Sequence, residues 1–166
     1  KRRFSAPGAD LLRLLDQRVR AGRPITYEVS IKGEPPPIAS CSINDHPVIG
    51  NPRIEVRTTP TTCFFEILLS VRSDTGKYTL NLENSSGRLS TSATVTVLDR
   101  PTAPVGPLNV SEVTKDSALL SWKQPKDDGG SPIKYYMIEK MDTSRATWME
   151  AGQSTSLSFK VQNLVH

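Results

Sequence analysis

Few residues in this 166-residue chain are of a type and spacing that could do covalent or metal chemistry. Its histidines are His46, in a turn-forming stretch, and His166, at the last position. No Ser-His-Asp or Cys-His order stands where strands would bring its members together, so no nucleophile is assigned. The two cysteines, Cys41 and Cys63, fit neither a C-x-x-C zinc or redox spacing nor a disulfide-rich scaffold. Asp127-Asp128 lacks the alternating oxygen ligands of a calcium loop and reads as turn chemistry. Gly129-Gly130 has no lysine or helix start beside it to cradle a phosphate. The expectation is a non-enzymatic chain with no catalytic residue, metal or cofactor. Modification is the chemistry that remains. Arg2-Arg3-Phe4-Ser5 matches a basophilic-kinase site with Ser5 as acceptor, although a flexible basic tail is the commoner meaning of such short matches. Asn84-Ser85-Ser86 and Asn109-Val110-Ser111 are formal glycosylation sequons, silent in a cytosolic protein.

The formal charge is +4, and Lys1, Arg2 and Arg3 supply part of it. Elsewhere acids and bases are interspersed, with no basic stripe carrying stacking aromatics, so nucleic acid is not an expected partner. No run approaches the roughly 18 to 20 apolar residues that a membrane helix needs, so no membrane partner is expected either.

The elements that would position these residues are short strands. Turn formers recur every eight to twelve residues, at Gly22-Arg23-Pro24, Gly33-Glu34-Pro35-Pro36-Pro37, Asn44-Asp45-His46-Pro47 and Gly50-Asn51-Pro52. Between them apolar residues alternate with polar ones. Ile25, Tyr27, Val29 and Ile31 share one strand face, as do Tyr78, Leu80 and Leu82, and Ala93, Val95 and Val97. Period-two patterning with regular turns predicts an all-β, antiparallel sandwich. Residues 10–19 fit two templates. Leu11, Leu12, Leu14, Leu15 and Val19 have helical spacing behind Asp10 as a cap, yet an edge strand with a kinked continuation over 11–19 agrees with the β pattern downstream. A second unit starts after Asp99-Arg100-Pro101-Thr102-Ala103-Pro104, whose prolines favour an extended, fairly stiff link. Strand-like runs follow at 118–122, 133–140, 147–151 and 156–161, with the Pro125 to Pro132 loop between the first two.

Several of these residues carry a family resemblance. Asp74-Thr75-Gly76-Lys77-Tyr78 has the D-x-G-x-Y form that opens strand F of immunoglobulin domains, with Tyr78 at the position of the tyrosine corner. Asn84-Ser85-Ser86-Gly87 is similar to the F–G turn, where Gly87 would supply a positive φ. Arg53 and Asp74 stand where the family often forms an ion pair. Residues 22–98 resemble an I-set domain throughout. Residues 101–166 resemble a fibronectin type III module: Pro107 to Val110 is similar to strand A, Leu120-Ser121-Trp122 to strand B, Tyr136 and Ile138 to strand C, and Trp148 to strand C′. The wording of both segments resembles the giant muscle proteins of the titin, twitchin and projectin group.

The resemblance implies a basic tail over 1–7, an I-set domain over 8–99, a linker over 100–104 and, over 105–166, a fibronectin type III domain lacking strands F and G, the whole being a fragment. The family's inter-sheet cysteines are replaced by Val29 and Leu80. Two apolar residues there imply a core suited to a reducing cytosol, at sarcomere or myofibril. Cys41 occupies the place of the buried strand-C tryptophan; a loss of that size costs about 3–5 kcal/mol unless Phe64, Phe65 or another side chain fills the space. Cys41 is read as inert core. The implied function is structural and scaffolding: mechanical continuity and protein docking along muscle filaments, with thick-filament or other sarcomeric and cytoskeletal proteins and neighbouring modules as partners. An extracellular adhesion ectodomain and a non-catalytic part of a giant muscle kinase are the alternatives.

Overall fold

A computed structural model describes residues 3–10 and 14–165. The chain divides into two compact units, Lys1–Asp99 and Arg100–His166. Among the described residues the first unit holds β1 (Ser5–Ala9), β2 (Gln17–Arg20), β3 (Ile25–Glu34), β4 (Ile38–Ile43), β5 (His46–Pro47), β6 (Ile54–Thr58), β7 (Thr62–Ile67), β8 (Gly76–Asn84) and β9 (Gly87–Leu98). One sheet runs β1-β3-β7-β6 and the other β2-β9-β8-β4-β5. Of these pairs β2 with β9 is parallel and the rest antiparallel.

The alternation read from the sequence is what builds the sandwich. Along β3, Ile25, Tyr27, Val29 and Ile31 are buried while Thr26, Glu28, Ser30 and Lys32 are exposed. Tyr78, Leu80 and Leu82 of β8 and Ala93, Val95 and Val97 of β9 close the core from the opposite sheet. A strand shows alternate side chains to opposite faces, so each sheet turns one apolar face inward. The β4–β5 hairpin turns on Asn44 and Asp45, at φ 49° and 66°. Positive φ at both central residues is the twist that matches a two-residue hairpin, and Asn and Asp tolerate it.

The N-terminal stretch departs from expectation in two ways. Ser5, Ala6 and Pro7, expected in the basic tail, form the first part of β1, because β1 registers antiparallel with β3. The strand expected over 11–19 is strand only from Gln17; Leu14 sits in a bend, and 11–13 lie outside the described residues. The helical alternative is not adopted at its C-terminal end, where Gln17–Arg20 pairs with Val95–Leu98 of β9.

The second unit holds β10 (Pro104–Ser111), β11 (Ala118–Pro125), β12 (Tyr136–Asp142), β13 (Thr147–Ser154) and β14 (Ser158–Val161). Its sheets are β10-β11-β14 and the β12-β13 hairpin. Pro104, expected in the linker, opens β10, an edge strand where a missing N–H is tolerated. The strand expected from 133 begins at Tyr136. Among the described residues fourteen hydrophobic ones are buried in the first unit but only Ala118, Ile138 and Val161 in the second. Between its sheets lies an open apolar cleft of about 480 Å³ lined by Leu108, Leu120, Trp122, Ile133, Tyr136 and Ile138. No helix among the described residues is long and apolar enough to cross a membrane.

Candidate functional site

The best-defined constellation is the middle of the first sandwich. Strand pairing sets Cys63 of β7 beside Val29 of β3 in one sheet, and Cys41 of β4 beside Leu80 of β8 in the other. Val29, Leu80 and Cys63 are 2%, 4% and 3% exposed and belong to one buried cluster, against which the half-buried Cys41 packs. The apolar pair therefore points inward. Phe65 fills part of the space beside Cys41, meeting Tyr78 edge to face at 5.5 Å. Phe64 does not; its ring lies under the Arg57 guanidinium at 4.4 Å. A void of about 30 Å³ remains, lined by Tyr27, Val29, Cys41, Cys63, Phe65 and Leu80 among others. At about 24 cal/mol per Å³ such a void costs roughly 1 kcal/mol, well below the cost of an uncollapsed tryptophan site.

At one end of this core Arg53 and Asp74 meet. Arg53 Nη1 and Nη2 donate to Asp74 Oδ1 (3.0 Å) and Oδ2 (2.8 Å), a bidentate pair. Asp74 also accepts the Val71 N–H at 2.8 Å, which caps the short 3₁₀ turn Arg72–Asp74. Burial pushes the Asp74 carboxyl upward, but the Arg53 hydrogen bonds, the Val71 N–H and the Arg53 charge outweigh it and hold the group below the usual carboxylate range. Tyr78 completes the corner, its hydroxyl donating to the Asp74 carbonyl at 2.6 Å. Burial, and then the Asp74 charge, raise the Tyr78 phenol, so it stays a donor. Gly76 has no room for a side chain: an added Cβ would lie 2.5 Å from the Asn44 amide. That amide is fixed in turn by the Lys77 N–H, which donates to Asn44 Oδ1 at 2.9 Å.

At the other end, Asn84 does more than its expected turn. Its Oδ1 accepts the Ser86 N–H at 2.9 Å, while Nδ2 donates to the carbonyls of Ser5 (2.8 Å) and Pro35 (3.0 Å). One amide thus ties the β8–β9 turn to β1 and to the turn after β3. Gly87 has φ 158°, at the edge of the region that favours glycine. Ser5 lies exposed within β1 rather than in a free tail, and Arg2 of its kinase motif falls outside the described residues.

In the second unit Trp122 and Tyr136 meet edge to face, with centroids 5.4 Å apart. The Trp122 Nε1 is buried without a hydrogen-bond partner. Trp148, expected among the structural residues of this unit, lies on β13 with 63% of its surface exposed and so adds little to its core. Asp127 and Asp128 accept the N–H groups of Gly129 (3.1 Å) and Gly130 (2.8 Å), which is turn chemistry. Among the described residues no group of three or more His, Cys, Asp or Glu could hold a metal ion.

Sequence reasoning missed one anchor. Tyr27, read only as core, donates its hydroxyl to the Leu15 carbonyl at 2.6 Å, and burial followed by the Asp16 charge raises its pKa to about 12. Asp16 accepts the Thr94 N–H at 2.8 Å, and Gln17 Nε2 donates to the Thr26 carbonyl at 2.9 Å. These contacts pin the crossing from one sheet to the other. A tyrosine on a buried face, whose hydroxyl must find a partner, was the available signal.

Comparison with known proteins fits this architecture. The chain is 39% identical over 132 residues to human slow-type myosin-binding protein C, covering 79% of this chain and 12% of that protein. It is 31% identical over 152 residues to Drosophila melanogaster titin, covering 90% of this chain and 1% of that one. The chain thus spans only a small part of these relatives. Among solved structures, domains A168–A170 from titin superpose over 98% of this chain and 57% of theirs, with a TM-score of 0.57 and 26% identity. The immunoglobulin I-set domain model matches residues 12–97, more than half of the chain. With its two facing sheets, corner tyrosine and buried inter-sheet pair, the chain belongs to the immunoglobulin I-set domain family.

Proposed function

We propose that this chain is a structural and docking segment of a sarcomeric protein, an I-set domain followed by part of a fibronectin type III module. One observation carries the reading. The similarity to myosin-binding protein C runs over 132 residues, more than the 99 of the first unit, so it continues into the second. The buried Val29 and Leu80 support an intracellular setting, because this core needs no bridge between those positions to hold its sheets together. In the second unit, the Trp122–Tyr136 pair and the division into a three-stranded sheet and a hairpin support the fibronectin-like assignment. The open cleft is what such a module would present if further strands were needed to cover it. The exposed loops and sheet faces of both units serve as docking surfaces for sarcomeric proteins, with the thick filament as the expected partner.

Cosedimentation of the whole chain with myosin filaments tests this. The chain is expected to pellet with them and, fused to a fluorescent protein in striated muscle cells, to collect in sarcomeric bands. A chain that stays in the supernatant and spreads diffusely through the cell would overturn the reading.

A further inference from the structure

We propose that Ser5 is a phosphate acceptor for an arginine-directed serine kinase, and that the Asn84 side chain gates the site by holding the start of β1 on the sandwich. The recognition chemistry lies in the sequence. Arg2 and Arg3 stand three and two positions before Ser5, and residues 1–9 contain no acid. Two guanidinium groups at those positions suit a carboxylate-lined cleft, where each can form a bidentate pair. The acceptor is at the surface. Arg3, Phe4, Ser5 and Ala6 are exposed, and β1 is an edge strand, so the backbone around Ser5 is already extended.

An exposed serine in a strand becomes a substrate only when its backbone comes free. In-line transfer needs the hydroxyl seated at the γ-phosphate, in a cleft that a residue pinned to a sheet does not enter. This serine is pinned lightly. It registers with Glu34, but the pairing with β3 is irregular between Ser5 and Gly8, so the regular ladder at Gly8 and Ala9 does not reach it. Pro7, inside the break, has no N–H to donate. The side chain that holds this end is Asn84, whose Nδ2 donates to the Ser5 carbonyl at 2.8 Å. Asn84 is itself fixed by the Pro35 carbonyl and the Ser86 N–H, so it is a firm anchor for a weakly laddered end. Residues 3–6 can therefore lift off while β3 and the core stay in place. In the freed strand the Ser5 Oγ attacks the γ-phosphorus of ATP, the bond from that phosphorus to ADP breaks, and the hydroxyl proton passes to the carboxylate base of the kinase. When opening is fast relative to transfer, the rate follows the open population, which the Asn84 bond sets. Use of the site in a cell rests on the intracellular reading above; the chemistry with purified components does not.

The whole chain, incubated with ATP and the catalytic subunit of cyclic-AMP-dependent protein kinase, tests the proposal. The expected product carries one phosphate on Ser5, a gain of about 80 Da that a phosphatase removes. Ser5→Ala should abolish it, and Arg2→Ala should slow it about tenfold. At limiting kinase the initial rate should rise about fivefold in Asn84→Ala, as expected for losing the bond that closes the strand end. Asn84→Asp, which keeps the acceptor for the Ser86 N–H but loses the donor, should behave alike. Asp74→Asn, which weakens the opposite end of the same sandwich, should leave the rate unchanged and so separates release of β1 from general loosening. No phosphate at Ser5, wild-type rates in both Asn84 variants, or an equal acceleration by Asp74→Asn would each overturn the proposal.

Discussion

Asp74 takes three hydrogen bonds at once, two from Arg53 and one from Val71, and is only 8% exposed. Its pKa in the fold lies below that of an unfolded aspartate, about 3.9. The sign follows: the carboxylate stabilises the fold fully above that value, and the contribution fades as pH falls through the lowered pKa. Asp74→Asn is therefore expected to cost about 1–3 kcal/mol at neutral pH, discounted because the Arg53 side chain is 45% exposed and screened. In urea titrations the gap between wild type and variant should narrow as pH drops below about 4. An unchanged gap would show that the pair contributes nothing through charge. This cluster was legible through the family resemblance, because Asp74, Gly76 and Tyr78 stand within five positions in the D-x-G-x-Y form, while Arg53 and Asn44 come to it from 21 and more positions away. The Tyr27–Leu15 contact was not, since its acceptor lies in a stretch whose path depends on two sheets competing for one segment.

Strand faces were readable because burial on one side of a pleat imposes period two directly on the residues. The allotment of strands to sheets was not. Nothing in residues 5–20 announces that β1 joins one sheet and β2 the other, and helical spacing of the leucines obscured the crossing. Asn84 is the side chain that secures β1 from the opposite sheet. Asn84→Ala removes its bonds to Ser5, Pro35 and Ser86 and is expected to cost about 1–2 kcal/mol. Hydrogen exchange should locate the effect: amides of β1 lose protection, while those of β3 and β7 exchange as before. Equal loss of protection in all three strands would mean that β1 is not held separately.

The two units differ most in how much apolar surface each removes from water. The second buries three hydrophobic residues and leaves Leu108, Val110, Met137, Met141 and Trp148 exposed, with the Trp122 indole N–H unsatisfied. Residues 100–166 expressed alone are expected to melt without a cooperative transition and to bind a hydrophobic dye, whereas residues 3–99 should unfold as one step. A sharp transition in the isolated second unit would refute this. The boundary between units was legible from Pro101 and Pro104; the thinness of the second core was not, because alternation reports which face is inward, not whether anything covers it. The parallel pairing of β2 with β9 has a consequence of its own. Once β1 has been peeled from β3, tension applied to the two ends of the first unit enters β2 at its start and leaves β9 at its finish, so the strands are drawn lengthwise past each other. The backbone bonds linking Gln17–Arg20 to Val95–Leu98 then bear the load side by side and must give way nearly together, as a latch does and a zipper does not.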